Sequence, residues 1–179
     1  MAEFDPYSVL RLADAAHYII GKHTEEIGKI LKCEWYPVVT QNDHNITVQL
    51  MAYGSREWHI GASFSMRELP GCCGICVSYH VSVSMGDSYR DRYPNFTHRG
   101  LGTLLLKIRM AIAKKAGYTY LQATLISEMP IEEKILRKAE FQEVAKFVSK
   151  RTSNTIKVFF RDLYAKEKVS SPEEVAVAA

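Results

Sequence analysis

Between residues 7 and 31 the apolar positions Val9, Leu10, Ala13, Ala16, Ile20, Ile27, Ile30 and Leu31, with His17, recur every three or four residues. That is the spacing of a helix burying one face, and Gly21 interrupts it, so the pattern predicts two helices or one kinked helix. Asp5 and Pro6 suit the cap and first turn of the first one. After Trp35 the period falls to two: residues 46–50 alternate, Gly54-Ser55 marks a turn, and residues 58–64 resume an extended pattern. This predicts an antiparallel hairpin. Pro70-Gly71 breaks the chain again, and residues 75–85 predict a third strand. Cys76, Ser78, His80, Ser82 and Ser84 fall on one face of it, and Val77, Tyr79, Val81, Val83 and Met85 on the other.

Residues 86–97 are polar and fit neither period, which reads as an inserted loop. Beyond it Leu101, Leu104, Leu105, Ile108, Ala111 and Ile112 form one helical stripe, with Lys107, Lys114 and Lys115 off it and Gly117 placed to end the helix at positive φ. Residues 118–125 predict a strand, 130–138 a short helix opened by proline, and 144–149 with 155–160 a hairpin around Ser153-Asn154. Helix and sheet alternate, so the fold class is α/β with a mixed, mostly antiparallel sheet. Trp35 and Trp58 are expected in the core. The expected organisation is one domain over residues 1–164, with a helical part at 1–34, and a flexible tail over 165–179.

Composition removes several function classes. Apolar residues make up 47% and charged residues 24% of the 179, a globular balance. The 23 Lys and Arg exceed the 20 Asp and Glu by only three, too little to suggest a general nucleic-acid or membrane binder. No segment of the sequence reads as a signal peptide or membrane span, and Cys72, Cys73 and Cys76 crowd together instead of forming a spaced disulfide framework. A cytoplasmic setting is expected. Cys76 and His80 would share a strand face but stand roughly 13 Å apart along it, so no metal site is expected.

The informative segment is Thr97-His98-Arg99-Gly100-Leu101-Gly102-Thr103, where two close glycines lead from a β-rich region into the strongest helix. The first turn of a helix offers unpaired amides and partial positive charge to an anion. Glycine there lets phosphate oxygens approach the main chain, while His98 and Arg99 add charge and Thr103 a hydroxyl. A tight turn with no ligand has the same spacing. The dinucleotide fingerprint fails at Leu105, and no lysine follows the second glycine as a P-loop requires.

In its setting this segment resembles the pyrophosphate loop of the GNAT (GCN5-related) N-acetyltransferases, Gln/Arg-x-x-Gly-x-Gly/Ala after a central strand. The resemblance runs over residues 75–163 and includes Glu140-Phe141, where the family commonly has Gly-Phe. Thr97 replaces the usual Gln or Arg, Glu140 the glycine, and Leu136 falls where many members place a tyrosine that protonates the departing thiolate. The family usually begins with a strand, whereas this chain begins with helices.

The resemblance implies acetyl-CoA as acyl donor, held on residues 97–103 and along the splayed edge of the strand at 75–85, and an amine acceptor that attacks the thioester directly. Candidates to take the amine's proton are His80, Asp87 and Asp91. Ser127, Tyr120, Tyr89 or Tyr93 would have to stand in for the missing tyrosine, or water would protonate the thiolate. The alternatives are a non-catalytic GNAT-like protein that binds CoA or a partner, and a nucleic-acid-linked module using Tyr89, Arg90, Arg92, Tyr93 and Phe96. The N-terminal helices are expected to form the acceptor wall or the surface of a homodimer.

Overall fold

In the computed structural model residues 7–86 and 95–165 are described. Asp5, Pro6, the segment 87–94 and the tail beyond Ala165 lie outside them, and with them the expectations for Asp87, Tyr89, Asp91 and Tyr93.

Two helices open the described chain, α1 (Tyr7–Lys22) and α2 (Thr24–Leu31). Gly21 stays within α1, and the break comes at His23, whose amide still reaches Ile19 and Ile20 while α2 starts from its carbonyl. Strands β1 (Trp35–Gln41), β2 (Ile46–Gly54), β3 (Glu57–Leu69) and β4 (Cys72–Val83) follow, then α3 (Leu101–Lys115), β5 (Tyr120–Ile126), α4 (Pro130–Lys138), β6 (Gln142–Val148) and β7 (Thr155–Asp162). They form one seven-stranded sheet in the order β1-β2-β3-β4-β5-β7-β6, in which only β4 and β5 run parallel. β1 takes the edge and follows the helices instead of preceding them. It carries Pro37, which an edge strand tolerates because one side of its backbone needs no ladder partner.

The helices pack on one face. α1 lies on β1, β2 and β3, and α3 on β4 and β5, with α1, α2 and α4 beside it. Alternation along β2 and β3 sends Ile46, Val48, Leu50, Ala62, Phe64 and Met66 into this layer, all at or below 1% exposure. Each of these burials except that of the small Ala62 contributes about 1.5–3 kcal/mol. Because three helices flank α3, its buried arc is wider than one stripe and takes in Leu106 and Arg109 as well. The other sheet face carries no helix among the described residues. There Trp58 meets Tyr36 edge-on at 4.6 Å and Tyr53 tilted at 5.1 Å and stays 42% exposed, so of the two tryptophans only Trp35 packs against the core.

Both helices that border the sheet's centre end in the same way. Gly117 (φ +92) donates to Lys114 and Tyr118 to Ala113, and Glu140 (φ +58) donates to Arg137 and Phe141 to Leu136. These are Schellman motifs, whose C′ residue is left-handed and usually glycine. At 140 the glutamate adopts that conformation while its carboxylate pairs with the buried Arg161.

Candidate active site

The parallel ladder between β4 and β5 is short, running from Ile75 opposite Tyr120 to Ser78 opposite Ala123. Beyond it β4 continues to Val83 and β5 to Ile126 without pairing to each other, and the two strands open into a fork. The cause is local. On the β3 side the register jumps between Ser63↔Ser82 and Ser65↔Tyr79, so His80 and Val81 together oppose Phe64. His80 takes φ +50, the mark of a bulge that bends a strand and breaks its alternation. The expected facial pattern of residues 76–84 therefore holds only to Tyr79. His80 is exposed on the bulge, its ring 4.8 Å from that of Tyr79.

β4 is tied to the glycine turn by a short neck. Ser84 donates its amide to Gly61, Phe96 donates to Ser84, and Met85 bridges Asn95. Phe96, 1% exposed, packs so tightly on Gly61 that a Cβ there would stand 3.0 Å from its ring. This buries the aromatic group expected to serve nucleic-acid stacking.

The turn itself has His98 (φ +59) and Gly100 (φ +84) in the left-handed region, an arrangement in which successive amides face one concavity. Gly100 caps α3 without any side-chain bond, and no atom lies within 4 Å of where its Cβ would be. The first amide to find a helical carbonyl is that of Leu104. The amides of Leu101, Gly102 and Thr103 precede it and have no partner among the described residues. Leu101's side chain is in the core, so its backbone alone faces the turn. Thr97 is held by Asn95, whose Oδ1 accepts from its amide at 2.9 Å and its hydroxyl at 2.6 Å. Exposed Arg99 lies with its guanidinium carbon 5.6 Å from the Phe96 ring centroid.

On the other arm, Ser127 follows β5. Its amide donates to Thr155, and its Oγ is buried with no partner among the described residues. Tyr120 sits at the closed end of the ladder, the far end of β5 from Ser127. Leu136 is 4% exposed in a core that includes Phe141 and Phe159, and on the same helix Ile135 approaches Gly102. His80, Ser127 and the glycine turn thus border one fork, and Asp87 falls outside the described residues.

Two arginines beside this fork went unread in the sequence. Arg109 on α3 is buried, donating from Nη1 to Ser78 Oγ at 2.9 Å and from Nε to Leu105 O. Burial alone draws its pKa down to about 10, so it stays charged near neutrality. Arg67 on β3 rests over the Tyr79 ring on the helix-free face. Nothing distinguished either in one dimension: one interrupts a helical stripe, and the other lies past the predicted end of its strand. Cys76 is buried beside Glu68, and its thiol pKa is pushed up by burial and then by that carboxylate.

The arrangement of these helices around one seven-stranded, mostly antiparallel sheet is matched by solved structures. The chain has the fold of the GNAT acetyltransferases. An acetyltransferase of the GNAT family from Desulfovibrio desulfuricans superposes with a TM-score of 0.52 at 15% identity, over 84% of this chain and 80% of that one. The ribosomal-protein-S18-alanine N-acetyltransferase of Escherichia coli gives 0.53 at 14%, over 73% and 77%. Spermidine N-acetyltransferase of Vibrio cholerae, solved with CoA and spermine, gives 0.53 at 8%, over 82% and 73%. No protein-family model and no curated protein matches the sequence. At these identities the likeness is one of GNAT fold, and the chemistry must be argued from this chain's own residues. No helix among the described residues is long and apolar enough to cross a membrane.

Proposed function

We propose that the protein transfers an acetyl group from acetyl-CoA to a primary amine, by direct attack with both substrates bound. The observation that carries this reading is the uncapped start of α3: a left-handed Gly100 with open space around it, followed by three unpartnered amides at the mouth of the fork. These residues fit a pyrophosphate, because the amides of Leu101, Gly102 and Thr103 and the helix dipole offer donors and positive charge. Arg99 and His98 add side-chain charge, and Thr97 shapes the turn through Asn95. Acetyl-CoA supplies the activated thioester.

Beyond Ser78 the edge of β4 that turns toward β5 has no ladder partner there and offers its N–H and C=O groups to the amides of the cofactor arm. An amine with pKa near 10.4 holds its proton at pH 7, and freeing the lone pair costs about 4–5 kcal/mol. His80, exposed on the bulge, takes that proton directly or through water as the N–C bond forms and the C–S bond breaks; Asp87 is the second candidate. Ser127, whose buried Oγ has no partner, donates to the departing thiolate in place of a tyrosine at 136.

Release of free CoA thiol from acetyl-CoA in the presence of a panel of primary amines tests this. Amine-dependent release that falls at least tenfold in His80→Gln or Ser127→Ala supports the assignment; release that ignores the amine contradicts it. Buried Leu136 favours one other reading, a CoA-binding protein without turnover. Tight acetyl-CoA binding with no release for any amine is its signature.

A further inference from the structure

The face of the sheet from which an acceptor reaches the fork carries a definite chemistry. With α3, α4 and the turn on one side, the approach to the fork that no described helix covers is across the other face of the sheet. The flanking residues there alternate along β3 as Ser63, Ser65 and Arg67, and β4 adds Tyr79. The hydroxyls satisfy one another: Thr47 Oγ1 meets Ser65 Oγ at 2.9 Å and Ser63 Oγ meets Ser82 Oγ at 2.8 Å. Arg67 is the charged residue in this strip, opposite Val77 and two ladder positions from Tyr79. Its guanidinium carbon stands 5.6 Å from the Tyr79 ring centroid, and its Nε is buried with no partner. Among the described residues no carboxylate pairs with it.

A guanidinium held over an aromatic ring with a donor unmet is a poor neighbour for a second ammonium and a good one for an oxyanion. Like charges at this range repel, so a polyamine would bring its distal nitrogen against a fixed cation. We infer that Arg67 selects the acceptor: the protein acetylates a primary amine that also carries a carboxylate or phosphate, with that anion on the Nη end of the Arg67 guanidinium. The inference rests on the transferase reading above and names its substrate class.

The test compares matched acceptors at saturating acetyl-CoA: β-alanine with β-alaninamide, phosphoethanolamine with ethanolamine, and spermidine. A charge-assisted bond of ordinary strength gives each anionic amine a kcat/KM about 10- to 100-fold above its neutral partner, carried by KM. Arg67→Gln is expected to bring the anionic amines down to the level of their neutral partners, and Arg67→Lys to recover part of the preference. Which pair shows the larger ratio separates carboxylate from phosphate. Equal kcat/KM within both pairs, preference for spermidine, or a preference that survives Arg67→Gln would overturn the inference while leaving the transferase standing. No turnover of any amine would overturn the transferase reading and this inference with it.

Discussion

Replacing Glu140 by glycine sets two effects of known sign against each other. Glycine is the ordinary residue at a Schellman C′ position, and at φ +58 glutamate forgoes roughly 1 kcal/mol relative to it. Against this, Glu140 is the ion-pair partner of Arg161, whose side chain is 9% exposed and whose Nε is already without a partner. Stripping the partner from a fully buried cation costs about 3–5 kcal/mol. With the Glu140 side chain 39% exposed, water compensates part of this and about 2–3 is appropriate. The ion pair wins, so Glu140→Gly is expected to destabilise the fold by about 1–2 kcal/mol. Glu140→Ala, which loses the pair and keeps the strain, should lose about 1 kcal/mol more. Chemical denaturation of the three proteins gives these differences directly. A Glu140→Gly variant more stable than the parent would refute the reasoning, and so would an alanine variant equal to the glycine one.

The other expectations follow from the neck, the buried thiol and the exposed ones. Gly61→Ala places a Cβ 3.0 Å from Phe96 and 3.3 Å from Leu50 O, so a loss of about 1–3 kcal/mol is expected, with weaker acetyl-CoA binding as the neck shifts; a neutral effect in both assays contradicts the role given to Phe96. Cys76 and Tyr118 both have pKa values raised in the fold, chiefly by burial. The folded state therefore holds more protons in alkali than the unfolded one, and their stabilisation is complete below pH about 9 and declines above it. Cys76→Ala should flatten that decline, and an unchanged alkaline slope would count against it. In the native protein a thiol reagent should modify the exposed Cys72 and Cys73 first and Cys76 only on unfolding; early labelling of Cys76 would contradict its burial.

Much of this architecture was legible in one dimension because periodicity follows burial directly. The stripe from Leu101 to Ile112, Gly117 at the end of α3, and the hairpin that closes the sheet all appear where the spacing put them. What escaped depended on contacts between distant segments. β1 hides behind Pro37 and has no alternating pattern of its own, since an edge strand needs little. The bulge at His80 is a register mismatch with β3, and nothing in residues 75–85 alone announces it. Phe96 read as a surface aromatic because its partner, Gly61, lies 35 positions away in the chain. The turn at residues 97–103 stood out as a candidate anion site because glycine, charge and a helix start coincide within seven residues. Arg67 carried no such mark, because it acquires meaning only beside Tyr79.

The central claim is that the start of α3 binds the pyrophosphate of acetyl-CoA, and isothermal titration of the native protein against Gly102→Glu tests it most directly. Position 102 has ordinary helical geometry and its Cβ would make only normal contact with Ile135, while a carboxylate in the first turn suits the helix dipole, so the variant should fold as well as the parent. The account predicts micromolar binding by the native chain and none by the variant at equal thermal stability. Undiminished binding by Gly102→Glu, or no binding by the native protein, would contradict it.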